Sequence, residues 1–226
     1  LVALIEAWKS LLARHPVNRN RTARADRPAT SIWPWGQGGV PPMEKLTDRY
    51  GLSGGIISAV DLLRGIGICA GLEPVFVEGA TGYIDTNYRG KADAALEWLQ
   101  KGNFVFLHVE APDEMGHEGN IEGKIRAIED FDRLVVGRVL DVLETRGDPH
   151  RIMVLSDHAT PVSVKTHVSD PSPFAVLSSL NGENLARGFS FCERSAARSG
   201  IMVSPGYTLI KWFMGDWKAF IEKDTE

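Results

Sequence analysis

Cysteine is scarce in this chain, with two in 226 residues, Cys69 and Cys192, far apart and without a CxxC pairing. That excludes a disulfide framework and a thiolate metal cluster, and leaves two reduced, buried thiols as the expectation. A dominant charge is lacking too. The 25 Lys and Arg against 29 Asp and Glu give a formal net charge of −4, with both signs mixed along the sequence. Nothing forms the basic patch or stripe that a nucleic-acid partner would need. Long apolar runs are missing, and those present, such as Phe104 to Val109, are far too short to span a bilayer. No stretch combines a charged start, an apolar middle and a small-residue cleavage site, so a cytoplasmic location is expected. Repeats and low-complexity tracts are absent as well. The sequence opens directly on Leu-Val-Ala-Leu-Ile-Glu-Ala-Trp, an amphipathic helical pattern without an initiator Met, and reads as the interior of something longer.

What is present is an alternation of strands and helices. Val2 to Arg14 has helical spacing of Leu4, Ile5, Trp8, Leu11 and Leu12. The basic and polar run Asn18 to Arg27 reads as an exposed loop or junction. Ile32-Trp33-Pro34-Trp35 before a glycine cluster reads as a strand entering a turn, with both tryptophans in the core. Short strands follow at Gly55 to Ala59 and Glu73 to Val77, around a helix from Val60 to Ala70. Lys91 to Leu99 is helical, and Phe104 to Val109 is the clearest buried strand. Ile121, Ile125, Ile128, Val135, Val139 and Val142 mark a long amphipathic helix, and Ile152 to Leu155 and Phe174 to Leu177 are further strands. This order predicts an α/β fold with a mainly parallel central sheet flanked by helices. In such sheets ligands bind beyond the carboxyl ends of the strands.

Those ends carry the chemistry. After Val109 comes Glu110-Ala111-Pro112-Asp113-Glu114-Met115-Gly116-His117; after Leu155 comes Ser156-Asp157-His158; before Phe174 comes Lys165-Thr166-His167. Asp113 and His117, four residues apart, can face one way from a turn of helix. A mixed carboxylate and imidazole set suits Mn²⁺, Zn²⁺ or Fe²⁺ better than Ca²⁺ or Mg²⁺ alone. Two such ions about 3.5–4 Å apart form the usual clamp for phosphoryl transfer. His15 and His150 are expected at the surface, and His108 as a hydrogen-bonded or core histidine.

His108 to Gly119, Leu155-Ser156-Asp157-His158 and Thr166-His167 resemble the C-terminal metal motifs of 2,3-bisphosphoglycerate-independent phosphoglycerate mutases of the archaeal-type branch, within the alkaline phosphatase superfamily. Trp33-Pro34-Trp35-Gly36-Gln37-Gly38, Ile57 to Leu62 and Gly79 to Tyr88 look like that branch too, so the likeness runs from about Ile32 to the C-terminus. The resemblance implies an alkaline phosphatase-like core in which Asp113, His117 and His167 hold one divalent metal. Asp157 and His158 would contribute to a second, with Mn²⁺ foremost and Zn²⁺, Mg²⁺ or Co²⁺ as alternatives. It implies interconversion of 3- and 2-phosphoglycerate through a phosphoserine, with no 2,3-bisphosphoglycerate, and a small phosphorylated substrate as partner. Arg64 is the candidate for the substrate's anionic groups and Lys165 a weaker one. Glu110 and Asp170 are supporting or loop-capping groups. The family's nucleophilic serine and a further Asp have no counterpart here; Ser53, Ser58 and Ser156 do not match that motif. The chain is therefore expected to be incomplete for catalysis.

Residues 1–55 are expected to form an N-terminal portion, including the end of an inserted domain, and 56–226 the C-terminal half of the metal-binding core. A metal-dependent phosphatase or phosphomutase on the same scaffold, or a fragment that binds metal without catalysis, are the alternatives.

Overall fold

A computed structural model describes residues 1–36, 38–180 and 188–223, so Gln37 of the tryptophan motif lies outside the described residues. The chain divides into two compact units, Leu1–Pro42 and Met43–Glu226.

In the first unit, helix α1 (Val2–Arg14) is followed at once by α2 (Pro16–Ala23). The expected loop over Asn18 to Arg27 is thus largely helical. Pro16 supplies a first-turn residue whose missing N–H costs nothing, and the His15 ring caps Val17 N. Asn18, buried, binds the Leu12 and Ala29 carbonyls at 2.8 Å each and accepts from Ala29 N at 2.9 Å, folding the following segment back. The expected strand at Ile32 to Trp35 does not form, and Trp33 and Trp35 are 82% and 79% exposed rather than in a core. Pro34 between them removes a ladder donor and restricts its predecessor.

The second unit begins with a short helix, α3 (Leu46–Tyr50), then β1 (Gly54–Ile57), α4 (Asp61–Cys69), β2 (Glu73–Pro74), α5 (Tyr88–Trp98) and β3 (Phe104–Leu107). The strands form a parallel sheet in the order β2-β1-β3, with Ile56 opposite Phe106. Strand β1 is fully buried, as its Gly-Gly-Ile-Ile sequence requires. The chain continues through α6 (Ala111–Glu118) and α7 (Ile121–Phe131), a π-helical segment (Asp132–Gly137) and α8 (Arg138–Arg146). Strands β4 (Arg151–Leu155) and β5 (Phe174–Ser178) pair antiparallel as a separate two-stranded sheet. Helices α9 (Glu193–Ser199), α10 (Leu209–Met214) and α11 (Trp217–Lys223) follow, with a single 3₁₀ turn before α10.

Two apolar clusters hold this unit. One packs Tyr88, Ala92, Ala111, Ala127 and Val135 with Leu107 and Val109 under α6; the other packs Leu209, Trp217 and Phe220 against Met153, Phe174 and Val176. The periodic isoleucines of α7 do not supply the first cluster. Ile121, Ile125 and Ile128 point outward, and the small residues Gly123 and Ala127 are buried instead. Close approach explains the reversal, because a Cβ on Gly123 would stand 2.5 Å from the Met115 sulfur. The outcome fixes α6 against α7 and hence the direction of its ligand-bearing face. Cys69 and Cys192 are free and half-buried. Among the described residues no helix is long and apolar enough to cross a membrane.

Candidate metal centre

Helix α6 begins just past the carboxyl end of β3. Glu110 is its N-cap, Pro112 sits in the first turn, and Gly119 ends it in the left-handed conformation at φ 73°. Asp113 and His117 therefore stand one turn apart on one face, with His117 Nε2 3.2 Å from Asp113 Oδ2. The loop after β4 supplies the rest. It turns back at Pro161, whose carbonyl accepts from the backbone N–H groups of Val164 and Lys165, and is closed by Val168 N to Ala159 O at 3.0 Å. That hairpin brings His167 to the α6 face. His167 Nε2 lies 3.1 Å from His117 Nε2 and 3.5 Å from Asp113 Oδ1.

These spacings fit a shared cation. Two ligands each about 2.1 Å from one ion stand about 3.0 Å apart at a right angle and about 3.4 Å apart at a tetrahedral angle. Asp113, His117 and His167 together form a compact three-donor group. The hydrogen bonds also select the right tautomer. His117 Nδ1 is 3.1 Å from the Lys165 carbonyl, which can only accept. Nδ1 thus carries the proton, and Nε2 turns its lone pair toward Asp113 and His167. Lys165 presents this carbonyl from a left-handed conformation, φ 59°.

Asp157 and His158 adjoin this group. The His158 ring stacks on His167 with centroids 3.7 Å apart, and its Nε2 lies 3.3 Å from Asp157 Oδ2. Asp157 itself is largely exposed. Arg64 is placed differently. It pairs with Asp61 on its own helix and lies over the Phe76 ring at 5.1 Å; among the described residues no hydrogen bond or ion pair joins it to the Asp113 group.

Further residues surround the group, and of these Thr160, Lys124, Gly116 and Lys91 carry no sequence signal of their own. Thr160, buried, donates from Oγ1 to Asp113 Oδ1 and lies 3.2 Å from His158 Nδ1. Its carbonyl accepts from Lys124 Nζ at 2.7 Å, and burial lowers the Lys124 pKa. A Cβ on Gly116 would meet that same carbonyl at 2.4 Å, so α6 touches the hairpin only because this position is glycine. At the sheet edge, Ser58 Oγ is 3.3 Å from His108 Nδ1, and His108 Nε2 is 3.1 Å from Glu110 Oε2. Lys91, wholly buried, donates to the His108 carbonyl at 3.3 Å. Burial lowers the Lys91 pKa to about 8 and lowers that of His108, the latter opposed by the Asp157 charge. Burial and the neighbouring Asp113, Asp157 and Glu114 charges raise the Glu110 pKa. Carboxylates crowd one side of the centre and call for compensating positive charge.

A model of the Metalloenzyme superfamily matches residues 9–200. Over 214 residues the chain is 48% identical to a probable 2,3-bisphosphoglycerate-independent phosphoglycerate mutase of Geobacter sulfurreducens, covering 95% of this chain and 53% of that protein. Over 199 residues it is 56% identical to the 2,3-bisphosphoglycerate-independent phosphoglycerate mutase of Methanosarcina acetivorans, covering 88% of this chain and 50% of that one. The solved structure of the PH0037 protein from Pyrococcus horikoshii superposes with a TM-score of 0.73 at 31% identity, covering 86% of this chain and 50% of that one. The chain spans about half the length of the curated relatives it matches.

Proposed function

The chain belongs to the Metalloenzyme superfamily, and from that premise we propose that it is the metal-holding half of a 2,3-bisphosphoglycerate-independent phosphoglycerate mutase. The observation that carries this reading is the convergence of Asp113, His117 and His167: His117 Nε2 stands 3.1 Å from His167 Nε2 and 3.2 Å from Asp113 Oδ2, and His167 Nε2 stands 3.5 Å from Asp113 Oδ1. The names of the curated relatives support the choice of reaction.

In this reading Asp113, His117 and His167 hold one divalent ion, and Asp157 with His158 contribute to a second, with Mn²⁺ the first choice for a mixed carboxylate and imidazole set. Such ions, when bound, neutralise phosphoryl charge and lower the pKa of a serine hydroxyl. The serine and the remaining ligand to the second ion are contributed from outside this chain's residues. The chain's own part is to orient the donors. The Lys165 carbonyl holds the His117 tautomer, and the α6 helix holds Asp113 and His117 in register. Glu110, whose pKa is raised by burial and by the Asp113, Asp157 and Glu114 charges, adds to the negative charge that bound cations would offset. Arg64 is the proposed contact for the phosphate or carboxylate of phosphoglycerate, and must exchange Asp61 for the ligand to do so. The protein works in the cytoplasm on a small phosphorylated metabolite, with no nucleic-acid or membrane partner.

The test is a mutase assay on the whole protein without added 2,3-bisphosphoglycerate, with Mn²⁺ and with EDTA. Metal-dependent exchange between 3- and 2-phosphoglycerate is expected. No exchange, with metal-dependent release of phosphate from other esters, would move the protein to a phosphatase of the same superfamily.

A further inference from the structure

We infer that Thr160 is a positioning residue that ties the two parts of the metal centre together, its hydroxyl holding the His158 ring and the Asp113 carboxylate in place through one shared oxygen. The inference rests on the metal reading above and adds to it a residue outside the ligand set.

The case is one of hydrogen-bond accounting. Thr160 is 3% exposed, so its hydroxyl has no access to bulk water as an alternative partner. A hydroxyl carries one proton. Ionised Asp113 can only accept, so that proton goes to Asp113 Oδ1. The 3.2 Å contact between Thr160 Oγ1 and His158 Nδ1 then needs its proton from the ring. His158 Nδ1 is also 3.9 Å from Asp113 Oδ1, which again favours a proton on that nitrogen. The other ring nitrogen, Nε2, lies 3.3 Å from Asp157 Oδ2, so Thr160 holds one edge of the ring while the opposite edge faces the carboxylate that shares the second ion in the reading above.

The position of the hydroxyl is itself anchored. The Thr160 carbonyl is held by Lys124 Nζ at 2.7 Å and seated against Gly116 of α6. Thr160 also lies next to the Ala159–Val168 bridge that brings His167 to the site. One residue therefore touches the α6 carboxylate, the second-site imidazole and the hairpin that delivers the third ligand. Outer partners of this kind change metal affinity by about 10–100-fold when removed.

The experiment is Mn²⁺ titration of the whole protein by calorimetry. Thr160→Val, which keeps the shape and loses the hydroxyl, is expected to weaken binding about 10–100-fold, and Thr160→Ser, which restores the hydroxyl, to stay within about threefold of wild type. Unchanged affinity in Thr160→Val, or equal losses in both variants, overturns the inference. The two readings fail separately: absence of Mn²⁺ binding in the wild type defeats the metal centre, whereas wild-type binding that Thr160→Val leaves unaltered defeats the role of Thr160 alone.

Discussion

Lys91 offers a quantitative test of how the ground beneath the metal centre is built. Its side chain is wholly excluded from solvent, and among the described residues its one hydrogen bond is to the His108 carbonyl at 3.3 Å. Burial, only partly opposed by the Glu110 charge, lowers its pKa from an ordinary 10.5 to about 8. Between those values the unfolded chain binds the proton and the folded chain has largely released it. Stability therefore rises with pH across the window from about 8 to 10.5 and is insensitive to this group below it. A tenfold loss of proton affinity is worth about 1.4 kcal/mol, so the buried ammonium costs about 3 kcal/mol at neutral pH. From pH 7 to pH 9 the linkage relation recovers about 1.3 kcal/mol of that. Lys91→Met removes the group while keeping much of its volume. Urea unfolding of metal-free wild type and variant at pH 7, 8 and 9 isolates the lysine's contribution, because other titrating groups cancel in the difference. Wild type is expected to gain about 1.3 kcal/mol on the variant over that range. Parallel pH profiles would refute the reasoning and mean that Lys91 is solvated.

Asp113→Asn or His117→Ala is expected to lower Mn²⁺ stoichiometry measured on the purified protein; unchanged stoichiometry would remove the first-site assignment. Gly116→Ala pushes a methyl group into the Thr160 carbonyl, 2.4 Å away, and is expected to cost about 1–3 kcal/mol in urea unfolding and to weaken Mn²⁺ binding. An unaltered midpoint and affinity would show that the α6–hairpin contact is loose. Arg64→Ala in the whole protein is expected to raise KM for phosphoglycerate several-fold while leaving Mn²⁺ affinity unchanged. If the kinetics do not move, Arg64 does no more than pair with Asp61.

Much of the architecture was legible where one physical signal dominated. Phe104 to Leu107 and Ile152 to Leu155 are continuous apolar runs whose ends carry acids and histidines, and both became strands that deliver the candidate ligands. Asp113 and His117 met because i, i+4 spacing on a helix leaves little choice. Other features had competing signals. The polar run after His15 looked like a loop, although Pro16 at a first-turn position was a helix-start signal. The α7 isoleucines define a face by their period, yet period does not say which face a neighbour covers. Gly123 and Ala127 allowed the closer approach and took the core. The antiparallel pairing of β4 and β5 followed from the lack of a crossover helix in residues 156–173, which parallel strands ordinarily require. Thr160 was invisible for a different reason. A single hydroxyl has no spacing pattern, and its partners, Asp113 and His158, are 47 and 2 residues away.

The central claim is that Asp113, His117 and His167 converge on a divalent ion. Anomalous diffraction at the manganese edge from crystals of the whole protein grown with Mn²⁺ tests it most directly. The account predicts a peak within about 2.3 Å of Asp113 Oδ, His117 Nε2 and His167 Nε2 together. A peak held instead by Glu110, Asp113 and Glu114, the other group of converging donors, or no peak at this face of α6, would contradict it.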